Sequence, residues 1–222
     1  MEFPNRLTNC NLLKEDTEVT ELNYSVDLQE AIRFHGHVCP GLIIGYRAAK
    51  LAVKELDIRR DKDEELVAVV ENDACGVDAI QWLLGCSIGK GNLIFRDQGK
   101  QAFTIFRRDS GKAVRLVFKG QASASSPEAM ALRKKVMTGA ATADEKAQFE
   151  AQKIERMSQM LAASDEELFL IKAPTFAVPE WARIFDSYAC ESCGEVTMEP
   201  RLRLVDGKKV CMACAEPYQR GW

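Results

Sequence analysis

The period of apolar positions changes several times along the chain, and each change marks an element. Leu28, Ala31 and Ile32 form a short helical stripe, and Asp27 with Glu30 resembles a capping box. The spacing predicts a helix that ends at His35-Gly36. From Gly41 to Leu56 the helical period is sustained by Leu42, Gly45, Tyr46, Ala49, Ala52, Val53 and Leu56, with Arg47, Lys50, Lys54 and Glu55 off the stripe. Gly41, Gly45, Ala49 and Ala52 narrow one face of that helix. Such a face suits either tight packing in the core or a helix-to-helix contact between two copies of the chain.

After the charged loop from Asp57 to Glu65, Leu66–Val70 is unbroken apolar sequence, the pattern of a buried strand. A helix is expected from Val77 to about Leu84. The segments Asn92–Arg96, Ala102–Arg107 and Ala113–Lys119 are rich in Phe, Ile, Val and Leu and predict three strands. Asp97-Gln98-Gly99-Lys100 and Asp109-Ser110-Gly111 carry hairpin turn signals between them. Ser126-Pro127-Glu128 and the pair Thr142 and Glu145 start two further helices, reaching about Gly139 and Ala163. Ser164–Ser187 is expected to hold a strand and a short helix led by Pro179. These elements predict an α+β fold, a mostly antiparallel sheet with helices packed on one face.

Composition narrows the class. A chain of 222 residues with 46% hydrophobic and 28% charged residues is an ordinary folded protein. A formal net charge of −3 supplies no field that would draw it to nucleic acid or anionic lipid. The first residues lack an apolar signal core and no apolar run could span a bilayer, so a cytoplasmic protein is expected. In that compartment eight cysteines point to metal binding or redox chemistry rather than disulfides. Cys10, in a segment of mixed pattern, reads as an ordinary thiol.

Two places concentrate the chemistry. Phe34-His35-Gly36-His37-Val38-Cys39-Pro40-Gly41 holds both histidines of the chain. In an extended segment His35, His37 and Cys39 would alternate onto one side, and Pro40 would open the next helix with Cys39 at its N-terminus. Helix N-termini favour thiolates, and a thiolate with imidazoles suits a transition metal. Cys75 stands at a second strand-to-helix turn, so lowered thiol pKa values are expected at both cysteines. We expect a pocket lined by His37, Cys39 and Cys75, with His35 at its edge and Asp73 or Asp78 fixing an imidazole. The competing reading is two satisfied histidines and an inert buried cysteine. Cys86, after Gly85, is expected to be simply buried.

The second place is the tail. Cys190-Glu191-Ser192-Cys193 and Cys211-Met212-Ala213-Cys214 are CxxC knuckles 17 residues apart, the spacing of a four-thiolate zinc ribbon. An Asp206-Gly207 turn between Leu202–Val205 and Lys208–Val210 brings the knuckles together. Zinc would supply the folding free energy of so small a segment, and four thiolates would leave no position for substrate. Basic and acidic residues balance across it, which favours a protein contact or structural support over nucleic acid. Two domains are expected, an α+β core over 1–187 and the zinc ribbon over 188–222.

The motif from His35 to Gly41, the run Glu71-Asn72-Asp73-Ala74-Cys75-Gly76-Val77-Asp78-Ala79-Ile80-Gln81, then Gly85-Cys86 and Gly89-Lys90-Gly91-Asn92, resemble the E-type accessory polypeptides of formylmethanofuran dehydrogenase as a family. The tail matches members that carry a C-terminal zinc ribbon. The resemblance implies an α+β core, an intertwined homodimer and a metal-binding ribbon. Carried over residue by residue, it places a functional cluster on His35, His37, Cys39 and Cys75, with Asp78 beside it. The family name comes from an accessory polypeptide of an enzyme that fixes carbon dioxide, which implies an accessory or catalytic role in one-carbon metabolism. The alternative is a metal sensor or adaptor whose ribbon contacts protein or nucleic acid. Catalysis at the core would need a metal with an open position, whereas a sensor needs only reversible occupancy coupled to shape.

Overall fold

The computed structural model describes residues 24–120 and 126–216. Cys10 and residues 121–125 lie outside them. The chain divides into two compact units, one ending at Glu180 and the other starting at Trp181.

The larger unit contains α1 (Val26–His35), α2 (Pro40–Leu56), β1 (Leu66–Val70), α3 (Gly76–Leu84), β2 (Leu93–Phe95), β3 (Ala102–Arg107), β4 (Ala113–Phe118), α4 (Pro127–Met137), α5 (Ala143–Ala162), α6 (Asp165–Leu168) and β5 (Phe169–Lys172). The strands form one sheet in the order β2-β1-β3-β4-β5, antiparallel except for the parallel pair β1 and β2. All five residues of β1 are buried, which accounts for its continuous apolar run.

The core lies between the sheet and the helices α1, α2, α3 and α5. Leu28, Ala31 and Ile32 of α1 are buried, as are ten residues of α2. Met157 and Met160 anchor α5 on this core. The Arg47 guanidinium donates to the carbonyls of Met160, Leu161 and Ala163 and to Asp165, which closes the C-terminus of α5 onto α2. Val67, Val69 and Phe106 on the opposite sheet face are covered by Phe176, and Arg96 lies 4.1 Å from the Phe176 ring centroid.

Several local expectations change. Asp97–Lys100 is not a hairpin: β2 pairs with β1 through residues 68–70 and 93–95, and β3 pairs on the other side of β1. The β1–α3–β2 segment is therefore a parallel crossover, and the glycine signals at 97–100 serve a loop across the strand ends. The Asp109-Ser110-Gly111 hairpin does join β3 to β4. Ser25, not Asp27, precedes α1; Asp27 instead accepts from the Tyr46 hydroxyl at 3.1 Å and the Lys50 ammonium at 2.7 Å. Thr142 and Glu145 do form a capping box, and Ser164 with Glu167 forms another. Residues from Pro179 to Asp186 are not helical.

The narrow face of α2 is occupied within the chain. A Cβ at Gly45 would stand 2.0 Å from the Gly76 carbonyl oxygen, so the α2 and α3 backbones touch there. That face packs α3 and is not available to a second copy.

The smaller unit has two hairpins, β6 (Ser187–Ala189) with β7 (Val196–Met198), and β8 (Leu202–Val205) with β9 (Lys208–Cys211). Asp206 and Gly207 both have positive φ, 49° and 79°, as the Asp-Gly turn requires. No helix among the described residues is long and apolar enough to cross a membrane.

Candidate metal centres

The core centre is assembled from the ends of three helices. His35 is the last residue of α1, not part of an extended run. Gly36 then turns the chain left-handed at φ 94°, a conformation open to glycine, and its N–H caps Ile32 O. Cys39 is extended, at φ −152° and ψ 160°, and it caps α2: its Sγ accepts from Leu42 N–H at 3.4 Å. Cys75 immediately precedes α3, and the close approach of Gly76 to α2 sets its place. A Cβ on Gly41 would be 3.8 Å from Cys75 Sγ and 3.9 Å from Cys39 Sγ, so both sulfurs flank the first turn of α2.

These backbones bring His35, His37, Cys39 and Cys75 together, with one donor atom of each lying within 4.8 Å of the others. His35 Nε2 is 3.9 Å from Cys39 Sγ, and the two imidazole centroids are 4.5 Å apart. Around a tetrahedral zinc, nitrogen and sulfur donors sit about 3.3–3.8 Å apart, so the set needs little adjustment to hold such an ion. The other ring nitrogen of His35, Nδ1, lies 2.7 Å from Asp78 Oδ2, and Gln81 Nε2 donates to Asp78 Oδ1 at 3.2 Å. This carboxylate–imidazole pairing fixes the tautomer that presents Nε2 to the thiols. Asp78 thus fills the role expected of one of the two acids; Asp73 stands exposed.

Two expectations are reversed. His35 is the inner histidine, with its side chain 10% exposed, and His37 is the exposed one. The Cys39 thiol is pushed up, not down. Burial raises it most, the Leu42 N–H opposes that, and the adjacent Cys75 raises it again. At Cys39 the helix N-terminus does not overcome desolvation, and a bound cation would be needed to hold a thiolate there. The His37 imidazole is held below its usual range by burial, by His35 and by Lys153. Cys86 is buried, with its thiol pushed up to about 12, chiefly by burial. It plays no part in the centre.

Beside the centre is a cavity of about 380 Å³ at the C-terminal ends of the parallel strands β1 and β2. His35, Cys75 and Asp78 reach it from the centre, and Val70, Leu93 and Phe95 supply apolar wall. Open sheets bind ligands at this position relative to parallel strands. The sequence signal for it is the buried β1 run followed by a helix, once β2 is known to be parallel.

In the ribbon, one sulfur from each of Cys190, Cys193, Cys211 and Cys214 also falls within 4.8 Å of the rest. Cys193 Sγ and Cys211 Sγ are 4.0 Å apart, near the roughly 3.8 Å of a tetrahedral thiolate site. Cys190 Sγ accepts from Cys211 N–H at 3.2 Å, and the N–H groups of Cys193 and Cys211 bring the Cys190 thiol down to about 6. At Cys193 the Glu195 N–H lowers the thiol, but the crowding sulfurs of Cys190, Cys214 and Cys211 push it up to about 12. Four sulfurs this close ionise together only around a cation.

Comparison with known proteins assigns both parts of the chain. The family model described as "FmdE, Molybdenum formylmethanofuran dehydrogenase operon" matches residues 34–170. The chain belongs to the FmdE family. The ribbon matches the "Prokaryotic dksA/traR C4-type zinc finger" over residues 183–220, so this FmdE protein carries a C4-type zinc finger. A "Probable S-adenosyl-L-methionine-binding protein" of Archaeoglobus fulgidus is 33% identical over 197 residues, covering 86% of this chain and 53% of the relative. The chain therefore spans about half the length of that curated relative. The crystal structure of a tungsten formylmethanofuran dehydrogenase FmdE-like protein from Syntrophus aciditrophicus shares the fold, with a TM-score of 0.55 at 21% identity. The match covers 84% of this chain and 89% of the Syntrophus chain.

Proposed function

We propose that this FmdE-family chain is a cytoplasmic metalloprotein with two different metal centres. The ribbon holds zinc structurally through Cys190, Cys193, Cys211 and Cys214. The core holds a second transition metal through His35, His37, Cys39 and Cys75 and serves one-carbon metabolism, as an accessory or catalytic component. The observation that carries this is the His35–Asp78 pair at 2.7 Å, which directs His35 Nε2 at the two thiols as a metal-ligating histidine is directed. Bound there, the ion would supply Lewis acidity to a molecule in the adjoining cavity.

The printed name of the Archaeoglobus relative adds a specific ligand, since S-adenosyl-L-methionine is itself a one-carbon donor. We extend that ligand to this chain only as a candidate for the cavity, to be tested by equilibrium dialysis against the metal-loaded protein. The family resemblance supports a homodimer, built on a surface other than the α2 face that α3 covers. Light scattering is expected to give about twice the chain mass, and a monomer at micromolar concentration would remove that element. The balanced charge of the ribbon supports a protein partner over nucleic acid.

X-ray absorption on the purified protein tests the core centre. A shell of mixed nitrogen and sulfur donors is expected beside the all-sulfur shell of the ribbon. A spectrum fully described by sulfur would count against it.

A further inference from the structure

A second cavity is lined by none of the four core donors. Its walls come from Phe34 in the last turn of α1, Arg60 and Lys62 in the loop after α2, Trp82 in the last turn of α3, and Lys90 beyond it. Its volume is about 540 Å³, inside the span of about 300–1,000 Å³ typical of small-molecule sites. Phe34 and Trp82 stack with ring centroids 5.9 Å apart at 28°. Phe34 is nevertheless 52% exposed, so the stack uses one face of its ring and leaves the other open. The Arg60 guanidinium carbon lies 5.2 Å from the Trp82 ring centroid, and Arg60 Nε donates to the Trp82 carbonyl at 2.8 Å. That bond orients the guanidinium and leaves both terminal nitrogens without a partner among the described residues. Lys62, which is exposed, also has no ion-pair partner among them. The one acid of the wall, Asp61, is fully buried and already taken by Lys90 at 2.9 Å and Asn92 at 2.6 Å. Three cations therefore face one acid, an excess of two positive charges in a chain of net charge −3.

We propose that this cavity binds a small anion carried on a flat aromatic ring, the chemistry of a mononucleotide. The site is separate from both metal centres and does not rest on the metal reading of the core. The open face of Phe34 offers a ring the stacking surface that aromatic side chains give nucleobases, whichever base it is. The free end of the Arg60 guanidinium suits the paired oxygens of a phosphate, and Lys62 adds a point charge beside it. An anion without a ring would leave Phe34 bare, and a neutral ring would leave Arg60 and Lys62 unmatched. Arg60 and Lys62 also border a groove that holds acids, but there Arg107 holds Asp109 at 2.9 Å and Glu65 accepts from the Asp63 N–H at 3.1 Å. A cationic ligand is opposed by the excess charge of the wall. One open aromatic face in a cavity of this size suits a single nucleotide rather than a strand, which needs successive platforms and a longer basic track.

The test is calorimetric titration of the full chain with three probes: AMP, adenosine and inorganic phosphate. AMP should bind about tenfold or more tightly than either of the others, because only it carries both ring and charge. Phe34→Leu keeps the apolar bulk and removes the flat ring, so it should weaken AMP about tenfold and leave phosphate unchanged; Phe34→Trp should retain AMP binding. Lys62→Ala, at an exposed position, should weaken AMP about threefold and leave adenosine unchanged. Cys39→Ala should bind AMP as wild type does, which separates this site from the core centre whatever that centre holds. Absence of AMP binding at millimolar concentration would overturn the proposal, as would equal AMP affinity in Phe34→Leu and wild type. Adenosine binding as tightly as AMP would overturn the anionic class. A short oligoadenylate binding more than tenfold tighter than AMP would overturn the small-molecule class in favour of a nucleic-acid strand.

Discussion

Replacing Gly45 with Ala tests how the fold builds the core centre. The new Cβ would lie 2.0 Å from Gly76 O and 2.5 Å from Gly76 Cα. A carbon rests no nearer than about 3.3 Å to a carbonyl oxygen, so α2 and α3 would have to part by about 1.3 Å. Neither side can give by turning a side chain, because both surfaces are backbone. Gly76 is also confined by Phe103, whose ring a Cβ on Gly76 would meet at 3.2 Å. Overpacking of this kind costs about 1–3 kcal/mol, and the rigid contact puts it at the upper end. The better helix propensity of alanine returns about 1 kcal/mol, leaving a net loss of about 2 kcal/mol. Cys75 precedes Gly76, so the same displacement carries its sulfur away from Cys39, and core metal should be lost more readily than stability alone implies. The assay is urea unfolding followed by far-UV circular dichroism, with metal retention measured on the folded protein. Gly89→Ala is the control, since nothing lies within 4 Å of a Cβ there. A Gly45→Ala protein within about 0.5 kcal/mol of wild type, the range of a neutral surface change, and with full metal content would refute this account of the α2–α3 contact.

Cys193→Ser should remove about one zinc per chain and melt the ribbon while the core transition stays in place; unchanged zinc would contradict the four-thiolate assignment. Asp78→Asn should weaken core metal binding by about 10–100-fold without a matching loss of stability, as measured by competition with a chelator; equal affinity would show that the carboxylate does not orient His35. Burial works to raise the Asp27 carboxyl, but hydrogen bonds from Lys50, Ser25 and Tyr46 outweigh it and hold the group at about 2. Its contribution is full above the unfolded value of about 3.9 and is lost as pH falls through about 2. Asp27→Asn should flatten the stability profile between those values, and an unchanged acid limb would show that the group adds nothing there.

The helices were legible where a period and a cap coincided, as in α2 with Pro40 and in α5 with Thr142 and Glu145. The ribbon was legible from cysteine spacing alone. Strand partners were not, because Gly99 marks a turn without saying which strands it joins. β2 is only three residues long and pairs in parallel with β1, a partner that precedes it by a whole helix. The core cluster was legible as a set of residues, but its construction was not. Alternation suggested one extended segment, whereas the helix end at His35, the left-handed Gly36 and the N-caps at Cys39 and Cys75 bring the donors together. Which histidine lies inside follows from Asp78, forty-three positions away in sequence, and no local pattern encodes that contact. The glycine-lined face of α2 suited two partners equally by sequence; only the position of Gly76 decides for α3.

Two different metal centres require that the core hold a metal of its own. Elemental analysis of the purified full chain measures this directly, as metal atoms per chain in wild type and in Cys39→Ala. Two ions are expected in wild type, with one of them lost in the variant while the ribbon zinc remains. A single ion per chain, retained in Cys39→Ala and lost in Cys193→Ser, would contradict it.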